Sequence, residues 1–405
     1  MEKPARIGEN AAMSCARILE WITLSTAFLL PLVFWPSSQQ PFSTAKDWLL
    51  AVWVIAGFAL AIASGRIKQK IPSRAMAAIM VWIIALSLSA GTGDESSIRE
   101  LVRNLLACAG FLLVLWSGVQ PRKFALALVC SGTIVAAIAL LQWIGLDPFA
   151  LLNLTGSLQG SLRIRIFSTL GNPNFVAALL TVLLPLTICI PVASRYSQRT
   201  WRILQAAAGF IQVCAIIATG SRAPILGLIA AGIWFLFFNR VKIRLRWLFP
   251  VLALCAILIM LSPARPLGTT IAGRIYIWKI AFKHIAEIPP VGFGPGAFAL
   301  RFAQWETDHI RANTENPELS YSGFQDHAHN DYLEFLVDYG IVGLCAFIVS
   351  VGLAAPLLRR RSRLLLEQGI GASIVALMGI AMVDFPLHTR GAGTLLRCRG
   401  DQGLR

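Results

Sequence analysis

Apolar residues recur along this chain in long runs separated by short polar stretches. The runs begin near Ile18, Trp48, Ala75, Leu101, Phe124, Phe175, Ile203, Ala223, Trp247, Leu333 and Gly369. A bilayer core of about 30 Å is crossed by roughly 20 apolar residues in a helix, and these runs are of that order. The pattern predicts an all-α, polytopic membrane protein with about eleven spans. Helices are the expected form because lipid offers no partner to an unpaired backbone N–H or C=O. Residues 1–389 read as a single integral membrane domain and residues 390–405 as an atypical tail rich in glycine and arginine.

The polar stretches alternate in kind. Basic clusters stand at Arg66/Lys68/Lys70/Arg74, Arg122/Lys123, Arg195/Arg199/Arg202, Arg240/Lys242/Arg244/Arg246 and Arg359/Arg360/Arg361/Arg363. They occupy every second loop, as cytoplasmic loops do. The N-terminus is then inside, and the intervening loops face outward. The longest outer segment covers residues 263–332. In it Ile271, Ile275, Trp278, Phe282 and Ile285 recur at helical spacing. The predicted amphipathic helix either lies on the membrane surface, with Trp278, Lys279 and Lys283 at the lipid boundary, or packs on its own bundle. Pro289-Pro290 ends it, and Gly292-Phe293-Gly294-Pro295-Gly296 reads as a turn. That glycine spacing follows a helix and two prolines instead of a strand, which argues against a dinucleotide fingerprint.

Composition sharpens the picture. Hydrophobic residues make up 56% of the chain and charged residues 14%, leaving no soluble domain large enough to fold separately. A formal charge of +16 would suit nucleic acid, but its placement in alternating loops assigns it to topology and to anionic membrane lipids. Nucleic acid is not an expected partner. Of the eight cysteines, Cys108, Cys130, Cys189, Cys214, Cys255 and Cys345 fall inside apolar runs, where small buried hydrophobes are expected. No Cys/His spacing suggests a disulfide framework or zinc. An odd number of spans leaves the basic tail outside, against the charge bias, and a missing final helix would account for this.

Candidate chemistry concentrates in His327-Ala328-His329-Asn330-Asp331-Tyr332-Leu333-Glu334, immediately before the apolar run 333–358. Titratable groups are costly beside lipid and tend to be functional there. His329 is the candidate base or hydrogen-bond partner, since imidazole titrates near neutrality. Glu334 is expected to face the bundle, Asp331 to cap the helix, and His327 to order the loop. His327-x-His329 with Asp331 is a weak metal set with no further ligand pair, so no metal is expected. Arg222 lies in a turn between two spans, where its planar fork suits a phosphate; the bland alternative is a snorkelling arginine. Arg274, read as opening the amphipathic helix, suits the same anion. Arg163 and Arg165 are weaker candidates.

These residues also carry a resemblance. His329-Asn330-Asp331-Tyr332-Leu333-Glu334, followed by Asp338-Tyr339-Gly340-Ile341-Val342-Gly343-Leu344, resembles the signature of the O-antigen ligase and polymerase family. Gly171-Asn172-Pro173-Asn174, Thr219-Gly220-Ser221-Arg222, Gly273-Arg274 with Trp278, and Gly292-Phe293-Gly294 are similar to that family's other stretches, in the expected order. The similar region covers about residues 170–350. The resemblance implies about twelve spans and a glycosyltransferase at the outer (periplasmic) face of the bacterial inner membrane. The donor would be a polyprenyl-diphosphate-linked glycan, the acceptor a lipid A core sugar, a growing glycan or a protein. It implies Arg222 and Arg274 at the donor diphosphate, His329 as the essential histidine, and no metal or cofactor. The chain departs from the pattern at its C-terminus, where a final span is expected. A transporter for a small anion or lipid-linked sugar is the competing class, but such proteins more often show repeated halves and mid-membrane ionisable residues.

Overall fold

The computed structural model describes residues 3–38, 40–90, 95–151, 166–191, 197–238, 267–312, 317–323, 325–359 and 365–386. Among them every regular element is helical. The α-helices are α1 (Lys3–Leu29), α2 (Thr44–Ala63), α3 (Ser73–Ala90), α4 (Glu95–Ser117), α5 (Pro121–Trp143), α6 (Pro148–Leu151), α7 (Pro173–Cys189), α8 (Gln198–Ala218), α9 (Ala223–Phe238), α10 (Leu267–Lys283), α11 (Phe298–Ala312), α12 (Asp331–Arg359) and α13 (Leu365–Ala381). Every apolar run predicted above coincides with a helix except the one from Trp247, which lies outside the described residues, as do Arg163, Arg165 and the tail. Among the described residues, five helices are long and apolar enough to cross a bilayer: α2, α3, α5, α8 and the first 23 residues of α12. The chain is a multi-pass membrane protein.

The chain divides into two compact units. The first comprises Met1–Ile71, Leu106–Pro263 and Leu357–Gly379, and the second Pro72–Leu105, Ala264–Pro356 and Ile380–Arg405. In the first, α5, α7 and α8 pack together around Val135, Ala136, Val176, Leu180 and Ala215. Small residues let these helices approach closely, the usual route to helix association in lipid. Fully buried Gln212 bridges them, donating to Thr133 Oγ1 (3.2 Å) and accepting from Thr187 Oγ1 (3.0 Å). The Gly171-Asn172-Pro173-Asn174 stretch is a helix start. The Asn172 side chain accepts from the Asn174 N–H at 2.9 Å, and Pro173 occupies the first helical position, where no N–H is needed.

The second unit has its core in Tyr276, Ile277, Ile280 and Ala281 of α10, Phe298, Phe302 and Trp305 of α11, Ala328, and Leu333 and Val337 of α12. Each fully buried large side chain there contributes roughly 1.5–3 kcal/mol. Of the two placements open to the apolar face read for α10, most of that face does not pack on the unit's core. Ile271, Ile275 and Phe282 remain exposed, because the helix presents apolar groups on both sides and the tertiary core takes the Tyr276/Ile280 side. The cysteine expectation also needs correction. Cys189 is buried, but Cys130 and Cys345 are exposed and Cys108 and Cys214 half-buried; in a lipid-facing bundle an apolar run does not imply a protein-buried position.

Within α12, Gly340 breaks the helical path with φ 65° and ψ −170°. The loop from Pro289 fills the break. The Phe293 N–H donates to the Val337 carbonyl and the Gly294 N–H to the Asp338 carbonyl, while the Val342 N–H donates to the Pro290 carbonyl, all at 3.0 Å. The Asp338 carboxylate accepts from the N–H groups of Gly296 (2.8 Å) and Phe298 (2.9 Å), so α12 supplies the N-terminal cap of α11. Packing of α3 on α12 runs through Trp82, Leu86, Phe335 and Tyr339.

Candidate active site

The titratable cluster forms where the chain enters α12. Asn330, not Asp331, caps this helix: its Oδ1 accepts the Leu333 N–H at 3.1 Å. Asp331 is the first helical residue and fully buried. The amide precedes the helix by one position, which is where a side chain reaches the free N–H groups of the first turn.

Glu334 faces inward, as expected. One oxygen lies 2.8 Å from His327 Nδ1 and the other accepts the Ala328 N–H at 3.0 Å. His329 has a left-handed backbone, φ 51°, an uncommon state for a residue with a side chain and one that clusters at functional sites. Its Nδ1 lies 3.5 Å from Asp384 Oδ1, a close approach without hydrogen-bond geometry. Phe385 joins the two imidazoles. His327 stacks on it with centroids 4.0 Å apart, and His329 meets it edge-on at 5.0 Å.

Of the predicted residues, His329, Glu334 and Arg274 belong to the second unit. Arg274 is half-buried in the second turn of α10, seven residues after Leu267, and does not open the helix. One turn later, Trp278 Nε1 donates to the Ala328 carbonyl at 2.8 Å, so the face that Arg274 shares with Trp278 docks beside the histidines. Arg222 lies in the first unit, half-buried in the turn between α8 and α9. The turn is set by Thr219 Oγ1, which donates to the Ile216 carbonyl (2.6 Å) and accepts the Ser221 N–H (3.2 Å).

Sequence reasoning missed Asp384 and Phe385. Both were visible as a carboxylate and an aromatic at the end of the last apolar run, but nothing local pairs them with residues 55 to 58 positions earlier. Their burial (Asp384 3% and Phe385 4% exposed) comes from the second unit's packing. A carboxylate that deep is retained where something pairs with it.

A second polar cluster lies between α10 and α11. Burial raises the Glu306 carboxyl above its ordinary value, partly opposed by the Gly323 N–H that donates to it at 3.2 Å. Burial and the nearby Glu306 charge push the Tyr276 phenol up to about 12.

No curated protein sequence matches this chain. Residues 207–348, the stretch from α8 to the middle of α12, match the family model described as O-antigen ligase. Together with the motifs and the helical architecture, this makes the matched region similar to the O-antigen ligase family.

Proposed function

We propose that this protein transfers a glycan from a polyprenyl-diphosphate carrier to an acceptor hydroxyl at the outer, periplasmic face of the bacterial inner membrane. The observation that carries the reading is His329, held in a left-handed conformation against Asp384 at the entrance of α12, inside the region matched to the family. An acceptor oxygen attacks the anomeric carbon, the bond from that carbon to the diphosphate breaks, and polyprenyl diphosphate leaves with the bonding pair. The hydroxyl proton passes to a protein base.

In this reading Arg222 and Arg274 stabilise the charge that develops on the leaving diphosphate, which fixed guanidinium groups do without a metal. Arg163 and Arg165 are further candidates for anion contact, and Glu334 organises the histidine loop. His329 positions or deprotonates the acceptor hydroxyl. Lipid A core, a growing glycan and a protein hydroxyl are the acceptor classes. Purified protein given a radiolabelled lipid-linked donor and each acceptor in turn should label one of them, and labelling of none would refute transfer. Envelope glycans from a deletion strain should show uncapped core, shortened chains or unmodified protein, according to the acceptor used.

A further inference from the structure

The two histidines are built differently. His327 has a carboxylate on its Nδ1, with Glu334 Oε1 at 2.8 Å, and that carboxylate is itself fixed by the Ala328 N–H on its other oxygen. The pair is nearly sealed, with side-chain exposures of 10% and 4%. An ionised carboxylate can only accept, so this contact holds a hydrogen on Nδ1 and leaves Nε2 with its lone pair. His327 Nε2 is buried and has no hydrogen-bond partner among the described residues. Buried polar atoms are nearly always paired, and an orphan calls for an explanation. The stack on Phe385 fixes the ring plane. His329 has no such clamp, since its Nδ1 stands 3.5 Å from Asp384 without a hydrogen bond.

We propose that His327 Nε2 is the base that takes the acceptor proton, that Glu334 is its positioning residue, and that His329 orients the hydroxyl. This rests on the transferase reading above. As the acceptor oxygen bonds to the anomeric carbon and the carbon–diphosphate bond breaks, the hydroxyl proton moves to His327 Nε2. The resulting imidazolium is balanced by Glu334, the diphosphate keeps the bonding pair, and the proton passes to water after the product leaves. A carboxylate on one imidazole nitrogen, fixing the tautomer and steadying the charge that forms, is the arrangement on which histidine bases rely.

The test reads the tautomer directly. Full-length protein with ¹⁵N-labelled histidine, in lipid nanodiscs, contains five histidines, which single replacements assign. His327 should carry its hydrogen on Nδ1, with Nε2 bare. In Glu334→Gln the amide oxygen must stay on the Ala328 N–H, which can only donate, so the amide NH₂ turns to Nδ1 and the hydrogen should move to Nε2. The same variant and His327→Gln should each lower kcat by about 10²-fold or more, with the donor KM unchanged. A hydrogen on Nε2 in the unaltered protein overturns the proposal and needs no variant to fold. Unchanged kcat in either variant overturns it as well. Absence of transfer by the unaltered protein would sink the transferase reading instead, and the tautomer would still be read.

Discussion

Gly292 and Gly340 meet backbone to backbone: a Cβ on Gly292 would collide with the Asp338 carbonyl, and one on Gly340 with the Pro290 carbonyl. Both have positive φ, 78° and 65°. Two sequence stretches 48 positions apart are therefore one structural device, in which the turn after Pro290 supplies partners to the broken helix α12 and α12 caps α11. Alanine at either position adds a steric clash to a backbone state that only glycine adopts freely. Gly292→Ala and Gly340→Ala should each destabilise the second unit by more than about 1 kcal/mol, read as earlier thermal unfolding in detergent. Unchanged melting in both would show that the loop and helix do not depend on this contact.

Much of this was legible in sequence. Apolar runs reveal spans because lipid imposes one rule on the whole run, and the glycines of 292–296 announce a turn. The Asp338 carboxylate was not legible as a helix cap, because its partners, Gly296 and Phe298, lie far upstream. The inward face of α10 was left open by the sequence for a related reason. Helical spacing ranks faces by apolarity, but Tyr276 and Ile280 were chosen by contact with α11 and α12. His329 and Glu334 could be picked from local chemistry, whereas Asp384 and Phe385 required the fold.

The pair α10 and α11 should be sensitive to pH through Glu306. Its carboxyl titrates above the ordinary 4.5 because burial disfavours the charge. The folded state then binds more protons than the unfolded one between 4.5 and the raised value, so stability is full below 4.5 and falls as pH rises through that window. Tyr276 repeats the effect at higher pH, its contribution fading as pH rises from 10 toward about 12. Hydrogen exchange over α11, corrected for intrinsic rates, should show protection declining through the lower window. Glu306→Gln should flatten that decline. An equal decline in the variant would assign it to another group.

Arg222 tests the diphosphate role. A charge-assisted hydrogen bond contributes about 1.5–3 kcal/mol, so Arg222→Ala should slow transfer by roughly ten- to hundredfold if the contact is made in the transition state. Arg222→Lys should recover part of the rate, since an ammonium keeps the charge but loses the planar fork. Full activity in both variants, at equal membrane levels, would remove Arg222 from the reaction.

His329 and Asp384 offer the sharpest separation of chemistry from structure. If His329 handles the acceptor hydroxyl, His329→Ala should cost on the order of 10²–10⁴ in kcat while donor binding persists, because in this reading the donor is held by arginines. Asp384→Asn keeps the shape beside the ring and removes the charge. With Asp384 Oδ1 3.5 Å from His329 Nδ1, that substitution should lower kcat and shift its pH profile, whereas a purely structural carboxylate would lower the melting temperature and leave the profile in place. Chelators should leave transfer intact, since the negative charge meets guanidinium groups in this reading. Loss of activity on chelation, restored by added divalent ion, would require a different set of ligands from the one proposed. Undiminished transfer by His329→Ala would leave that residue as a backbone feature of the loop.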